Sequence, residues 1–206
     1  MHYRKLRVNF RFNPFVKLFI INEAFFWSIW YTVLPILASF FITTIPGSKI
    51  EYGVYGYTAY VVSRIIGGFL SGILFPRPSD KLQLTIIVCG ITLLSVAYAG
   101  FAISYSMIMF FGSYVLAGFA LGISNPVRLS LFSEHVDKNE EVTEWSMNEN
   151  LIYIGTALAA LLSGIILSKF SFQLLFVIAA VINLGSIIPF VIITRHIGIL
   201  RKTNNS

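Results

Sequence analysis

Charge is what this chain has least of. Only 12% of its residues are Asp, Glu, Lys or Arg, about half the roughly 25% typical of a soluble domain. That is too little to cover a water-facing surface. Cysteine is nearly absent, since Cys89 stands alone. An intrachain disulfide is excluded, and Cys89 has no partner for a metal site. Histidine is scarce and scattered, at His2, His135 and His196, so no metal centre is expected. The sequence carries no nucleotide-binding module, no paired-aspartate signature and no His-Glu-x-x-His helix. Neither ATP as energy source nor metalloprotease chemistry has support. No serine stands in a Gly-x-Ser-Gly context beside an intramembrane histidine, which argues against a rhomboid-type protease. Enzymatic activity and a cofactor are therefore not expected.

Apolar sequence is what the chain has in abundance. Hydrophobic residues make up 56%, and charges cut them into long blocks. Charge-free runs separate Glu23 from Lys49, Glu149 from Lys169 and Lys169 from Arg195. The run between Glu51 and Arg77 is broken once, by Arg64. The 46 residues between Lys81 and Arg128 are enough for two spans with a turn at Ser104-Tyr105-Ser106. A run of about 18 or more apolar residues reads as a membrane-spanning helix. The pattern predicts an all-α membrane protein with six spans, at 18–42, 52–75, 84–104, 107–127, 149–167 and 172–194. The runs are continuously apolar and do not alternate, which favours helices over a barrel. The domain plan is a basic tail over 1–17, a six-helix domain over 18–195 and a short tail over 196–206. The basic, aromatic first tail lacks the apolar core and small-residue cleavage site of a signal peptide.

The net charge of +6 has a topological origin, and nucleic acid is not an expected partner. Twelve Lys and Arg residues fall in the two tails and the second and fourth loops, against Lys49 and Lys169 on the other side. This positive-inside bias predicts both termini in the cytoplasm and a location in the cell membrane. The basic residues at span ends would meet anionic lipid headgroups. The second loop includes Arg77 and Asp80, and the fourth runs from Arg128 through Glu134 and Asp137.

Several intramembrane residues need a reason. Arg64 lies near the middle of the second span, where an arginine costs about 2.5–3.5 kcal/mol on insertion scales. It is either a substrate-binding or gating cation, or a structural charge that snorkels or neutralises an acid. Gly67, Gly68, Ser71 and Gly72 follow it on a small-residue face that would let another helix approach. Glu23 shares a helical face with Trp27 and Tyr31. It is either a proton carrier or substrate contact with aromatic walls, or an interfacial acid paired with Lys17. Gly118-x-x-x-Gly122-x-x-x-Pro126 and Gly155-x-x-x-Ala159-x-x-x-Ser163 are small-residue ladders. They suit close packing, or sliding between moving helices. Trp145, Glu149, Tyr153 and Thr156 share one face and would make a polar lining. Asn125-Pro126-Val127 looks like the Asn-Pro-Ala box of water channels but occurs once, whereas that fold needs two.

The stretch GFALGISNPVRLSLFSEHVDKNEEVTEWSMNENLIYIGTALAALLSG, residues 118–164, resembles the fourth-to-fifth helix region of the major facilitator superfamily. It is most similar to short members that supply a single six-helix half. The resemblance implies two inverted three-helix repeats per half, and two halves around a solute site near the midplane. One departure is visible. The superfamily carries a Gly-x-x-x-Asp-Arg-x-Gly-Arg-type motif after span two, whereas here Pro76 takes the aspartate's place and Asp80 follows. The implied function is transport of a small solute by alternating access, either driven by an ion or proton gradient or passive. The partner would be a second copy or another half. A non-transporting scaffold and one half of a split twelve-helix transporter are the alternatives.

Overall fold

The computed structural model describes residues 13–192. The outer parts of both tails, with His2 and His196, lie outside the described residues. Six helices follow one another: α1 (Pro14–Thr44), α2 (Ile50–Leu74), α3 (Asp80–Ala102), α4 (Met107–Ser133), α5 (Glu141–Lys169) and α6 (Phe172–Gly185). After a turn at Ser186 the last apolar span continues in helical form to Ile192. All six segments are long and apolar enough to cross a bilayer. The expected turn at 104–106 separates α3 from α4.

Capping side chains start four of the six helices. The Asn13 side chain accepts from the Val16 N–H at 2.9 Å, with Pro14 in the first turn. Ser79, Ser106 and Ser171 do the same for α3, α4 and α6. Each satisfies one of the orphan N–H groups of a first turn. Helices therefore end where caps fall and not where hydropathy falls. α4 has 27 residues, roughly 40 Å at the helical rise, beyond the roughly 30 Å of hydrocarbon. Three expected loop residues are helical. Arg128 is inside α4, not in the fourth loop, and Asp80 and Lys81 open α3. Arg128, buried against Glu23, leaves the tally of basic residues at span ends, which still stands at eleven against two. The break in the last span has a local cause. Pro189 cannot donate to the Gly185 carbonyl and crowds it.

The helices pair across the two halves of the chain. α1 packs on α5, α4 on α2, and α3 on both α4 and α6. Exchanging the first three helices with the last three carries the α1–α5 pair onto the α4–α2 pair, as two inverted repeats require. Both cross-pairs rest on small residues. A Cβ at Gly118 would lie 2.2 Å from the Tyr60 carbonyl oxygen, and one at Gly122 would lie 2.2 Å from that of Arg64. At the other seam Gly155 faces Ser28, whose hydroxyl donates to the Ile152 carbonyl at 3.0 Å. On α2 one edge of the expected small face, Gly67 and Ser71, makes the seam. Gly56, Tyr60, Ser63, Gly67 and Ser71 are the buried positions, at spacings of three and four. Gly68 makes only ordinary contact with Gly122, and Gly72 has no neighbour within 4 Å. They lie about 100° round the helix from that seam.

The α4–α5 connection is tied down at three points. The Asn13 backbone and side-chain N–H groups donate to the Asp137 carboxylate, and the side chain also reaches the His135 carbonyl. These bonds hold the Asp137 carboxyl below its usual pKa range. The Glu144 carboxylate accepts from the Asp137 N–H at 2.9 Å. Glu134, at the C-terminus of α4, accepts from Gln83 on α3 and from Ser130. The His135 ring stacks on Phe15 at 3.9 Å. Arg77 is exposed in the α2–α3 loop.

Candidate functional site

A buried charge pair lies beneath the site. Glu23 on α1 and Arg128 on α4 form an ion pair with almost no solvent exposure. The Arg128 Nε donates to Glu23 Oε1 at 2.7 Å, and its Nη2 donates to the Asn22 side-chain oxygen at 2.6 Å. The Asn22 amide donates in turn to the Ser186 carbonyl, at the break in the last span. The guanidinium rests on the face of Phe26, 4.0 Å from its centroid, a favourable cation–π placement. On the other side Glu23 Oε2 accepts from the Trp27 indole N–H at 2.8 Å. The acid's partner is Arg128, then, and not Lys17, which is exposed on α1. A charge taken from water is tolerable in such a setting only when paired and hydrogen-bonded.

Above this pair opens a cavity of about 160 Å³. Its walls come from four helices. α1 gives Glu23, Trp27 and Tyr31; α2 gives Arg64; α4 gives Asn125 and Leu129; α5 gives Trp145, Asn148, Glu149 and Ile152. Seven residues that the sequence singled out thus share one space: Glu23, Trp27, Tyr31, Arg64, Asn125, Trp145 and Glu149. Tyr153 is exposed one turn beyond Glu149 and is not in the wall. Pro126 is exposed on the next position of α4. It leaves the Gly122 carbonyl without its helical donor.

Arg64 is half-buried and donates from Nη1 to the Tyr60 hydroxyl at 2.9 Å. Its guanidinium lies 5.8 Å from the Trp27 ring centroid. The Trp27 ring also stacks with Tyr31, at 5.4 Å. Arg64 therefore keeps free donors toward the cavity, while Glu23 is neutralised by Arg128. The chemistry on offer is recognition. A fixed cation, an acid on α5, two amides and three aromatic rings surround one small volume. The other recesses are different in kind. One between α1, α5 and α6 is walled by residues such as Ile29, Ala159, Leu162 and Ile178. One between α1, α2 and α4 is walled by residues such as Leu34, Phe41, Val54 and Phe110.

Sequence reasoning missed Arg128, Asn22 and Asn148. A signal for Arg128 was available, because Leu129, Leu131 and Phe132 follow it. An arginine with apolar residues on both sides is interior to a span and does not mark its end. Asn148 had no such signal, since it lies among Glu144, Ser146 and Glu149.

Residues 19–203 match the Major Facilitator Superfamily. No match is found among curated proteins. Among solved structures, the POT family transporter PepTSo shares 20% identity at a TM-score of 0.72, over 86% of this chain and 37% of that one. An auto-inhibited POT family peptide transporter shares 20% identity at a TM-score of 0.68, over 87% of this chain and 37% of that one. The chain spans little more than a third of the length of either, and at this identity the likeness concerns the fold. With a six-helix bundle of apolar spans and a family match over nearly its whole length, the chain is a multi-pass membrane protein of the Major Facilitator Superfamily.

Proposed function

We propose that this chain is half of a transporter, and that it moves a small solute by alternating access together with a second half, most simply another copy of itself. The observation that carries the reading is the polar cavity around Arg64 within an apolar bundle. Charged and amide groups at membrane depth are costly unless they line a watery path or bind something. A scaffold has no use for them. The outward faces of α2 and α5 support the pairing. These two spans are the least buried of the six, with Phe69, Ile73 and Leu161 among their exposed side chains, and both also contribute to the cavity wall. The basic bias supports a cytoplasmic location for both termini. Proton coupling through Glu23 is part of this reading: a proton on that carboxylate would weaken its pairing with Arg128 and so loosen α1 from α4.

Two-sided access is the test. Asn125→Cys, in a Cys89→Ser background, is exposed to a membrane-impermeant thiol reagent in right-side-out and in inside-out vesicles. Labelling from both sides is expected, because the cavity opens alternately. Labelling from one side alone would leave a fixed vestibule and favour the scaffold.

A further inference from the structure

We propose that the solute is a small zwitterion, and that Asn148 is the residue that selects for its cationic end. The proposal rests on the transport reading for the site but concerns binding. It starts from an unmet hydrogen bond. Asn148 is 4% exposed, lines the cavity, and its side-chain oxygen has no hydrogen-bond partner. Buried polar atoms are nearly always satisfied, so one left open beside a cavity calls for a donor from outside the protein. The neighbouring residue on α5, Glu149, lines the same space. An amide oxygen and a carboxylate together accept from an ammonium group, and both favour its positive charge.

The opposite wall has the complementary chemistry. Arg64 makes one hydrogen bond among the described residues, to the Tyr60 hydroxyl. A guanidinium has five N–H donors in a fork that fits a carboxylate. The charge balance then decides between ligand classes. Glu23 is neutralised by Arg128, so the cavity retains one cation, Arg64, and one anion, Glu149. A simple anion would meet Glu149 uncompensated, and a simple cation would meet Arg64. A solute carrying both charges satisfies both walls. Trp27, Tyr31 and Trp145 supply apolar surface for its body.

Three probes with one ring separate the possibilities. Phenylalanine carries both charges, 3-phenylpropionate only the anionic one and phenethylamine only the cationic one. Their binding to the purified full-length protein is measured by ligand-induced thermal stabilisation. Phenylalanine should bind at least about tenfold more tightly than either relative, the size of one lost charge-assisted hydrogen bond. Asn148→Ala should weaken phenylalanine about tenfold and leave phenylpropionate unchanged. Asn148→Ser, which keeps an acceptor, should recover part of the loss and guards against misfolding. Arg64→Gln should weaken phenylalanine and leave phenethylamine unchanged. Equal or tighter binding of either singly charged probe, or no binding of phenylalanine, would overturn the proposal. Binding of phenylalanine without its passage into vesicles would leave the proposal standing and remove the transport reading.

Discussion

Arg128→Leu should be the most damaging single substitution in the chain. Its guanidinium is buried and holds both Glu23 and Asn22. Removing it leaves a carboxylate in the core with the Trp27 indole as its remaining donor. Breaking a buried pair by deleting one partner destabilises by about 3–5 kcal/mol. The midpoint of thermal unfolding in mild detergent should fall accordingly, or the protein should fail to accumulate. The double variant Glu23→Gln/Arg128→Met should be clearly more stable than the single one, because no isolated charge remains. A single variant as stable as the parent would show that the pair is not buried as described.

The second large effect is expected where two backbones meet. Gly122→Leu would drive a side chain into the Arg64 carbonyl, and Gly118→Leu into that of Tyr60. No flexible side chain stands there to give way, so α2 and α4 must separate. Overpacking typically costs about 1–3 kcal/mol, and two backbones in contact place this case at or above the upper end. Because Arg64 is on the displaced face of α2, the cavity should be lost along with stability. Gly112→Leu, also on α4 but outside the faces proposed for pairing, is the control. It has no neighbour within 4 Å, and this variant should match the parent in thermal midpoint. Equal behaviour of Gly122→Leu and Gly112→Leu would contradict the α2–α4 seam.

The pattern of charges is enough to read the six spans, because a bilayer imposes one length scale on every helix. The helix ends are not legible in it. Lys17, Arg128 and Glu144 are helical although charged, since caps such as Asn13 and loops with their own bonds set the limits. The cavity was half legible. Arg64 and Glu149 stand out as charges within apolar runs, and Trp27 and Tyr31 follow Glu23 at helical spacing. That they share one space depends on α1–α5 and α2–α4 contacts, which are long-range and leave no local trace. Glu23 shows the same limit. Its nearest cation in sequence is Lys17, but its partner in space is 105 residues away. On α2 the stripe Gly67, Gly68, Ser71 and Gly72 does not say which edge faces the neighbour, and it is Gly67 and Ser71 that do.

Pairing of two halves around the Arg64 cavity is the central claim, and cross-linking in native membranes tests it most directly. Single cysteines replace Phe69 on α2 or Leu161 on α5 in a Cys89→Ser background, and thiol oxidation follows. Val96→Cys, exposed on α3, reports random collision. The expected result is a species at about twice 23.1 kDa from the α2 and α5 positions, absent from the α3 position. A protein that stays monomeric at all three positions, or dimerises equally through α3, would contradict the account.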